Sequence, residues 1–134
     1  MNSLVTVLLL VVFAAICNAK KPSGSQSASS LSSSTGYRCG GISPLTRWAR
    51  TGRSDTIEMY IDTSSCRFPN TPMYFTSISG DAGHYLLVGV NAIYEPTKNG
   101  FIIRVHSTSN ESADTLMAWS AQYKWNVNWF GFSP

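Results

Sequence analysis

The strongest constraint on the fold is a period-two alternation of apolar and polar residues in short segments that are separated by turn residues. In segment 56–62, Ile57, Met59 and Ile61 alternate with more polar neighbours. This spacing places successive side chains on opposite faces of a β-strand, so that one face can be buried. Patterns of this kind predict strands in five segments, which are 56–62, 73–79, 84–95, 101–106 and 124–132.

Turn signals divide these predicted strands. Residues 84–95 are long for one strand, and Gly89 within them predicts a bulge or bend. The sequence Lys98-Asn99-Gly100 predicts a hairpin turn, because Asn-Gly tolerates positive φ. Residues 116–123 fit either a strand or a short helical turn, and the pattern leaves both open.

The last predicted strand is dense in aromatic residues, which favours a central place in a sheet. Trp125, Val127 and Trp129 share one face, for which burial is expected, whereas Asn126 and Asn128 face the other way. Several short strands with almost no helical periodicity predict an all-β fold, either a sandwich or a barrel.

The amino terminus has the pattern of a secretory signal peptide. Leu4–Ile16 is a thirteen-residue run that is apolar except for Thr6, which is short for a membrane span. Cys17 and Ala19 are small residues at the two positions that guide cleavage, so residues 1–19 are predicted to be removed and the protein to be secreted. An uncleaved anchor is the alternative, because the segment lacks the usual Lys or Arg.

A Ser-rich arm follows the predicted cleavage site. Eight of the seventeen residues in 20–36 are Ser, and Leu31 is the only large apolar residue. Such a segment buries too little surface to offset its ordering entropy, so we predict a disordered linker. An O-glycosylated stalk or a spacer is the functional alternative. The folded domain is then 37–134, a span of 98 residues.

The odd number of cysteines becomes even if the signal peptide is removed. Cleavage takes away Cys17 and leaves Cys39 and Cys66 in an oxidising compartment, which predicts one disulfide between them. In the loop-entropy description such a bond contributes on the order of 3–4 kcal/mol. Two free thiols or an intermolecular bridge through Cys39 are the alternatives.

Charge and motifs argue against several classes of function. A net charge of +3 without a basic cluster does not predict nucleic-acid binding. No nucleophile elbow, HExxH or phosphate loop occurs, and the acidic residues lack calcium-loop spacing. We therefore expect no enzymatic activity, no metal and no cofactor. A small hydrolase stays an alternative only if the two histidines, His84 and His106, share a pocket.

Binding is the function that the residue types favour. Arg104, His106, Asn126 and Asn128 are polar groups on strands that otherwise look well packed. Such groups bind sugar hydroxyls, while an aromatic ring stacks on the apolar face of the sugar. Aromatic and imidazole rings that are available for stacking are those of Tyr60, His84, Tyr85, Trp119 and Tyr123. The alternative is that each is an ordinary strand residue that faces solvent.

The triplet Asn110-Glu111-Ser112 is an acceptor for N-glycosylation. It lies in the polar stretch 107–114, which is predicted to be an exposed loop. Modification of Asn110, and hence a glycoprotein, is expected if the host glycosylates secreted proteins.

The order of several segments resembles the H-type lectin-like domain, and more closely a group of small secreted proteins. The segments have the forms TPxYFTS, GxxxIYxPTxxGF and WxxxWxG, and here they begin at Thr71, Gly89 and Trp125. The resemblance extends over about residues 48–132. It implies a six-stranded antiparallel β-sandwich that binds N-acetylgalactosamine or a related sugar and assembles as a homotrimer.

The sugar contacts of those lectins do not carry over to this chain. Ala92 stands where the lectins have an Arg, two positions before the residue that matches Tyr94, and Thr108-Ser109 replace a Trp-His pair. The resemblance therefore implies the fold but not the specificity. Other residues are predicted to bind the sugar, and these candidates are Asp81, His84, Arg104, His106, Asn126 and Asn128.

The sequence thus predicts a secreted lectin-like protein that binds glycans of a cell surface or matrix in recognition, adhesion or defence. It predicts neither nucleic-acid binding nor insertion into a membrane. The alternative is an extracellular structural or protein-interaction module that binds no sugar. The two hypotheses differ in whether Arg104, His106, Asn126 and Asn128 meet in one exposed patch.

Overall fold

The computed structural model describes residues 36–134, so the predicted signal peptide and all of the predicted linker except Gly36 lie outside it. The described part is built from strands and one short helix. The strands are Tyr37–Ser43 (β1), Ala49–Arg50 (β2), Thr56–Asp62 (β3), Met73–Ser79 (β4), Leu87–Val88 (β5), Ile93–Thr97 (β6), Gly100–Ser107 (β7) and Asn126–Ser133 (β8), and the helix is Ala113–Gln122 (α1).

The strands form two antiparallel sheets that pack together as a β-sandwich, so the all-β prediction is confirmed. One sheet has three strands in the order β1-β8-β4. The larger sheet has the order β2-β3-β7-β5, and β6 also pairs with β7. The predicted central place of the last strand is confirmed, because β8 lies between β1 and β4.

The core lies between the two sheets and follows the period-two pattern. The larger sheet contributes Ile57, Met59 and Ile61 from β3, all fully buried. From the smaller sheet Val127 is fully buried, and Tyr74 is nearly so. Each sheet therefore has an inner face toward the core and an outer face away from it.

Trp125 anchors the junction before β8. Its side chain is fully buried, and its Nε1–H donates to the carbonyl of Ala82 at 2.7 Å. In turn, the Nε1–H of Trp48 donates to the carbonyl of Trp125 at 2.9 Å. Trp129 packs against the core but is only partly buried. Core packing, which the sequence predicted for Trp125 and Trp129, is thus found for both.

The prediction of one strand over 84–95 was wrong, although the predicted bend at Gly89 is confirmed. The segment divides into a 3₁₀ turn at His84–Leu86, the short strand β5, a turn and β6. Gly89 has a φ of +91°, and a Cβ there would lie 2.2 Å from the carbonyl oxygen of Arg104. The backbone turns tightly against β7 at this point, so the strand cannot continue.

The predicted hairpin at Lys98-Asn99-Gly100 is confirmed, but its physical cause differs from the expectation. Thr97 pairs with Gly100, and Lys98 and Asn99 form the turn. Neither Asn99 nor Gly100 has a positive φ. The Thr97 hydroxyl instead accepts the N–H groups of Asn99 and Gly100, both at 3.1 Å. A threonine side chain thus stabilises the turn.

Of residues 116–123, which the sequence left open, 116–122 belong to α1 and Tyr123 is its C-cap. Ser112 is the N-cap, and its hydroxyl accepts the N–H of Thr115 at 3.1 Å. Ala113, Leu116 and Ser120 are buried, at spacings of three and four that place them on one face of a helix. A side-chain cap and this buried face explain why a helix forms here.

The predicted disulfide is confirmed within one chain. Cys39 of β1 is bonded to Cys66, which lies in a 3₁₀ turn at Ser64–Cys66 after β3. Because β1 belongs to the smaller sheet and β3 to the larger one, the bond ties the two layers of the sandwich together.

Candidate functional site

The loop after β4 is held in place by the start of β8. Asp81 donates its N–H to the carbonyl of Tyr123 at 2.7 Å, and the carbonyl of Ala82 accepts from the Trp125 indole. Gly83 has a φ of +74°, which lets the chain turn into the 3₁₀ turn at His84–Leu86. These contacts place a loop from one part of the chain against the carboxyl end of α1.

An aromatic cleft lies where this loop meets the helix. Its volume is about 220 Å³, and its lining residues are Ala82, Gly83, Tyr85, Leu86, Trp119 and Tyr123. Tyr85 is 79% exposed, which is unusual for a large aromatic side chain. The ring centroids of Trp119 and Tyr123 are 6.4 Å apart, as are those of Tyr123 and Trp125. The cleft therefore continues a row of aromatic rings that reaches into the core.

Charged groups stand beside the cleft. Asp81 precedes the lining residue Ala82, and Lys124 follows the lining residue Tyr123. The Lys124 ammonium lies 3.0 Å from an Asp81 carboxylate oxygen, and both side chains are more than half exposed. An exposed pair of this kind contributes little to stability, so both groups are available to a ligand.

His84 lies between two lining residues of the same cleft, Gly83 and Tyr85. Its Nδ1 atom is buried and makes no hydrogen bond within residues 36–134. Because most buried polar atoms in proteins have a partner, this nitrogen is one that a ligand or an ordered water can satisfy.

Arg104 and His106 lie elsewhere, on the outer face of the larger sheet. The Arg104 Nε atom is 2.9 Å from a Glu58 carboxylate oxygen, and its Nη2 atom is 3.7 Å from Glu95. The guanidinium also lies 4.8 Å from the ring centroid of Tyr94. The hydrogen bond to Glu58 raises the pKa of Arg104. These neighbours already satisfy the charge of Arg104, whereas His106 is exposed.

Asn126 and Asn128 lie on the outer face of the smaller sheet. The Asn126 Oδ1 accepts the N–H of Leu45 at 2.9 Å, so this amide fixes the chain that follows β1. Asn128 donates to the hydroxyl of Ser77 at 3.3 Å and accepts from that of Ser79 at 3.4 Å. Both amides are used in contacts between neighbouring chain segments.

The six predicted site residues therefore occupy three separate places. Arg104 with His106 and Asn126 with Asn128 face away from each other, because the core separates the two outer faces. Asp81 and His84 are next in the chain to residues that line the aromatic cleft, although neither is itself a lining residue. Among the rings predicted for stacking, the structure brings together Tyr85, Trp119 and Tyr123 and leaves Tyr60 on the larger sheet.

Lys124 follows the lining residue Tyr123 in the chain and was not among the residues predicted to bind a sugar. It has a φ of +54°, just past the carboxyl end of α1. A helix prediction for this segment would have pointed to Lys124. In a helix Trp119 and Tyr123 lie one turn apart on one face, and Lys124 follows them.

A further pocket of about 280 Å³ lies beside the disulfide. Arg47 and Asp62 bring opposite charges to it, and Trp129 is the one aromatic residue in its lining. The pKa of Asp62 is lowered, mainly because the Ser64 N–H donates to its carboxylate at 2.9 Å. With one partly buried ring, this pocket offers less aromatic surface than the cleft.

Asn110, the predicted glycosylation site, is exposed in the turn before α1. It has a φ of +55°, and its N–H donates to the carbonyl of Ser107 at 3.2 Å. Ser112 of the same triplet is the N-cap of α1. The acceptor nitrogen is thus on the surface, and its modification stays a prediction.

In the part of the chain from 36 to 134, no three His, Cys, Asp or Glu side chains are grouped as a metal site requires. Within that same range, no helix combines the length and the apolar character that spanning a bilayer takes.

Comparison with known proteins adds no relative. No protein-family model matches the chain, and neither a curated protein nor a solved structure matches it significantly. The resemblance to H-type lectins therefore stays a hypothesis that rests on the spacing of its segments.

Proposed function

We propose that this protein is a secreted carbohydrate-binding protein and that the aromatic cleft beside Tyr85 holds a sugar ring. The observation that carries this proposal is the 79% exposure of the Tyr85 side chain at the edge of a cleft lined by further aromatic rings. An exposed ring at the edge of a cleft that other aromatic rings line offers a surface on which the apolar face of a sugar can stack.

The chemistry of the cleft suits a sugar. The C–H face of a pyranose is apolar and stacks on an aromatic ring, here that of Tyr85 or Trp119. Sugar hydroxyls need hydrogen-bond partners at the rim, and the Asp81 carboxylate accepts whereas the Lys124 ammonium donates.

The size of the cleft limits what it holds. Its 220 Å³ is smaller than the roughly 300–1,000 Å³ of pockets for drug-sized ligands. The cleft is therefore suited to one sugar ring at the end or side of a glycan. A single shallow site binds weakly, so useful avidity requires several copies, in the homotrimer that the resemblance implies or in another assembly.

The proposal is binding without catalysis. Glycoside hydrolysis ordinarily uses two carboxyl groups that flank the bond to be broken. Among the described residues, Asp81 is the one carboxylate that is next in the chain to a residue lining this cleft, so a flanking pair is not present there. Secretion is part of the proposal, and a disulfide between Cys39 and Cys66 is of the kind that persists in oxidising compartments.

The test is a glycan array probed with the full chain, purified from a secreting host, beside two variants. Tyr85→Ala removes the exposed ring, and we expect it to weaken binding to the recognised glycans about tenfold or more, which is about 1.4 kcal/mol. Tyr60→Ala is the matched control, because Tyr60 is also exposed but lies on the larger sheet away from the cleft. Control binding should stay within about twofold of the parent.

Two results would contradict the proposal. The first is that the parent chain binds no glycan at any printed density. The second is that Tyr85→Ala binds the same glycans as strongly as the parent does. In the first case the alternative function, a module that binds protein, becomes the better explanation, and an apolar surface on the smaller sheet favours it.

A further inference from the structure

The outer face of the smaller sheet carries a cluster of large apolar side chains. In the register of this sheet, Met73 lies opposite Phe132 and Phe75 lies opposite Phe130. Directly opposed residues share a face, and Val127 of the same sheet is on the inner one. We call the cluster the apolar face, and its members are Ile42, Met73, Phe75, Phe130 and Phe132.

Most of the apolar face is exposed, and two of its rings are neighbours. The ring centroids of Phe75 and Phe130 are 6.4 Å apart. On the other side of Phe130, its strand partner is Gly40, which has no side chain to cover the ring. Ile42 is 68% exposed and Phe75 58%. Isolated exposed apolar residues are ordinary, whereas five neighbours on one flat sheet mark an interaction surface.

The area of the apolar face can be compared with what a dimer needs. Four of its members are between 42% and 68% exposed. With about 150–250 Å² for a large side chain, the face presents roughly 400–500 Å². Two such faces in contact bury roughly 800–1,000 Å², and polar neighbours bring this to the lower range of specific interfaces, about 1,200 Å².

We propose that the apolar face binds the apolar face of a second copy of this chain and forms a two-fold symmetric dimer. A face that packs on itself makes an isologous contact, which closes at two copies. Between Phe75, Ser77, Asn128 and Phe130 lies a depression of about 260 Å³, which has room for an apolar side chain of the partner copy.

Charge on this surface favours a second copy over a charged partner. Of the outer positions on β1, β4 and β8, only Arg38 is charged, and its guanidinium lies 5.7 Å from the ring centroid of Phe132. Arg38 is at one end of the sheet and Asn126 at the other. A two-fold axis that lies in the interface at right angles to the strands places the Arg38 end of one copy against the Asn126 end of the other. The Arg38 side chains of the two copies are then far apart and do not repel each other.

Other occupants fit less well. The Ser-rich segment 20–35 has Leu31 as its only large apolar residue, so it cannot cover five apolar side chains. A lipid surface is contacted best by protruding apolar groups with basic neighbours, whereas these side chains stand on a flat sheet with Arg38 as the one cation.

Each copy has one aromatic cleft, so a dimer presents two. Two sites in one particle raise avidity for a surface that displays many glycans. This consequence rests on the proposed function. The dimer itself does not, because the apolar face and the cleft are formed by different residues.

The experiment measures the mass of the full chain in solution without any sugar. Sedimentation equilibrium from about 1 µM to about 500 µM should show a change from one chain to two. Phe75→Lys places two ammonium groups in the interface, and we expect the dissociation constant to rise at least about tenfold. Val88→Lys is the matched control, because Val88 is exposed on the outer face of the larger sheet. The control should change the constant less than about twofold.

Ile42→Lys is the second variant, on the opposite edge strand, and it keeps the test informative if Phe75→Lys does not fold. It too should weaken the dimer at least about tenfold. The proposal is overturned if the parent chain stays a monomer at about 500 µM or forms a trimer, or if both folded variants dimerise as the parent does. A monomer that floats with phosphatidylcholine vesicles would overturn it in favour of lipid.

Discussion

The outer face of the larger sheet carries charged side chains that pair with one another, whereas the outer face of the smaller sheet carries five large apolar ones. On the larger sheet, Arg104 contacts Glu58, Glu95 and the ring of Tyr94. On the smaller sheet, Phe75 contacts Phe130 and is otherwise open to solvent. On the larger sheet the charges are paired within the chain among partly exposed side chains such as Tyr60 and Tyr94. The apolar face has no such ion pair among the described residues, and it is the surface proposed to pack on a second copy.

Alternation of buried and exposed residues does not by itself determine the role of an outer face. Both faces arise from strands in which every second residue is buried. The side chains between them decide the role, because paired charges need nothing further and exposed rings gain free energy when they are covered. The following predictions test this contrast between the faces.

The largest expected effect comes from the core beneath the larger sheet. Ile103 is fully buried, and its neighbour Ile102 is on the outer face and only partly buried. Ile103→Ala should lower the free energy of unfolding by about 2–5 kcal/mol, because it leaves a cavity. Ile102→Ala should cost clearly less. Urea denaturation of both variants measures the difference, and equal losses would show that the inner and outer faces are wrongly assigned.

The disulfide between the layers has the next largest expected effect. Replacement of both Cys39 and Cys66 by Ala should lower the free energy of unfolding on the order of 3 kcal/mol, because the unfolded chain regains the freedom of the closed loop. Equilibrium unfolding of the double variant provides the measurement. The parent chain treated with reductant is the control and should lose a similar amount. No loss in either would mean that the bond does not constrain the unfolded state.

A smaller effect on the free energy of unfolding is expected from substitutions on the two outer faces. Arg104→Met with Glu58→Gln in a double-mutant cycle should give a small favourable coupling that decreases with salt. Phe75→Thr on the smaller sheet should change the free energy of unfolding of the monomer by no more than about 0.5 kcal/mol. Thermal unfolding at low protein concentration provides both values. A large loss from Phe75→Thr would show that Phe75 is part of the fold rather than of an interface.

The smallest expected effect is on the pH dependence of the free energy of unfolding, through Asp62 at the end of β3. The pKa of Asp62 is lowered in the folded chain by the N–H of Ser64. Its contribution to stability is therefore present above its unfolded pKa of about 3.9 and is lost as the pH falls toward the folded value. Asp62→Asn keeps an acceptor for Ser64 but cannot titrate, so its stability should fall less steeply between about pH 4 and pH 2. Identical slopes would argue against this assignment.

Sequence reasoning succeeded where neighbouring residues decide the structure. The strands at 56–62 and 73–79 were predicted with their observed bounds. The hairpin before Gly100 was also predicted, although the hydroxyl of Thr97 rather than a positive φ at Asn99 stabilises it. Local spacing carries such features, because a strand or turn depends mainly on the residues within it.

The same reasoning was weaker where distant segments decide. Gly89 was expected to bend a strand, but the tight approach of this turn to the Arg104 carbonyl ends the strand altogether. The fragment that contains Trp119 is a helix because Ser112 caps it and its inner side packs on the core. A contact between segments that are far apart in the chain leaves no periodic signal in either of them.

The candidate site shows the same limit. Asp81 and His84 were predicted from their residue types, and they are next in the chain to residues that line the aromatic cleft without lining it themselves. Arg104 and Asn126 were predicted to act together, yet they lie on outer faces that the core separates. Both residues face outward, as the alternation along each strand predicted, but alternation does not reveal which sheet a strand joins.

The sequence alone predicted that Ile57, Met59 and Ile61 face the core and that the fold is all-β, because these follow from local spacing and composition. It favoured a bond between Cys39 and Cys66 but left two alternatives open. Only the tertiary structure decided that Tyr85, Trp119 and Tyr123 form one cleft and that Phe75 and Phe130 share an open face. The physical reason is that strand pairing and layer packing bring together residues whose separation in the sequence carries no record of their contact.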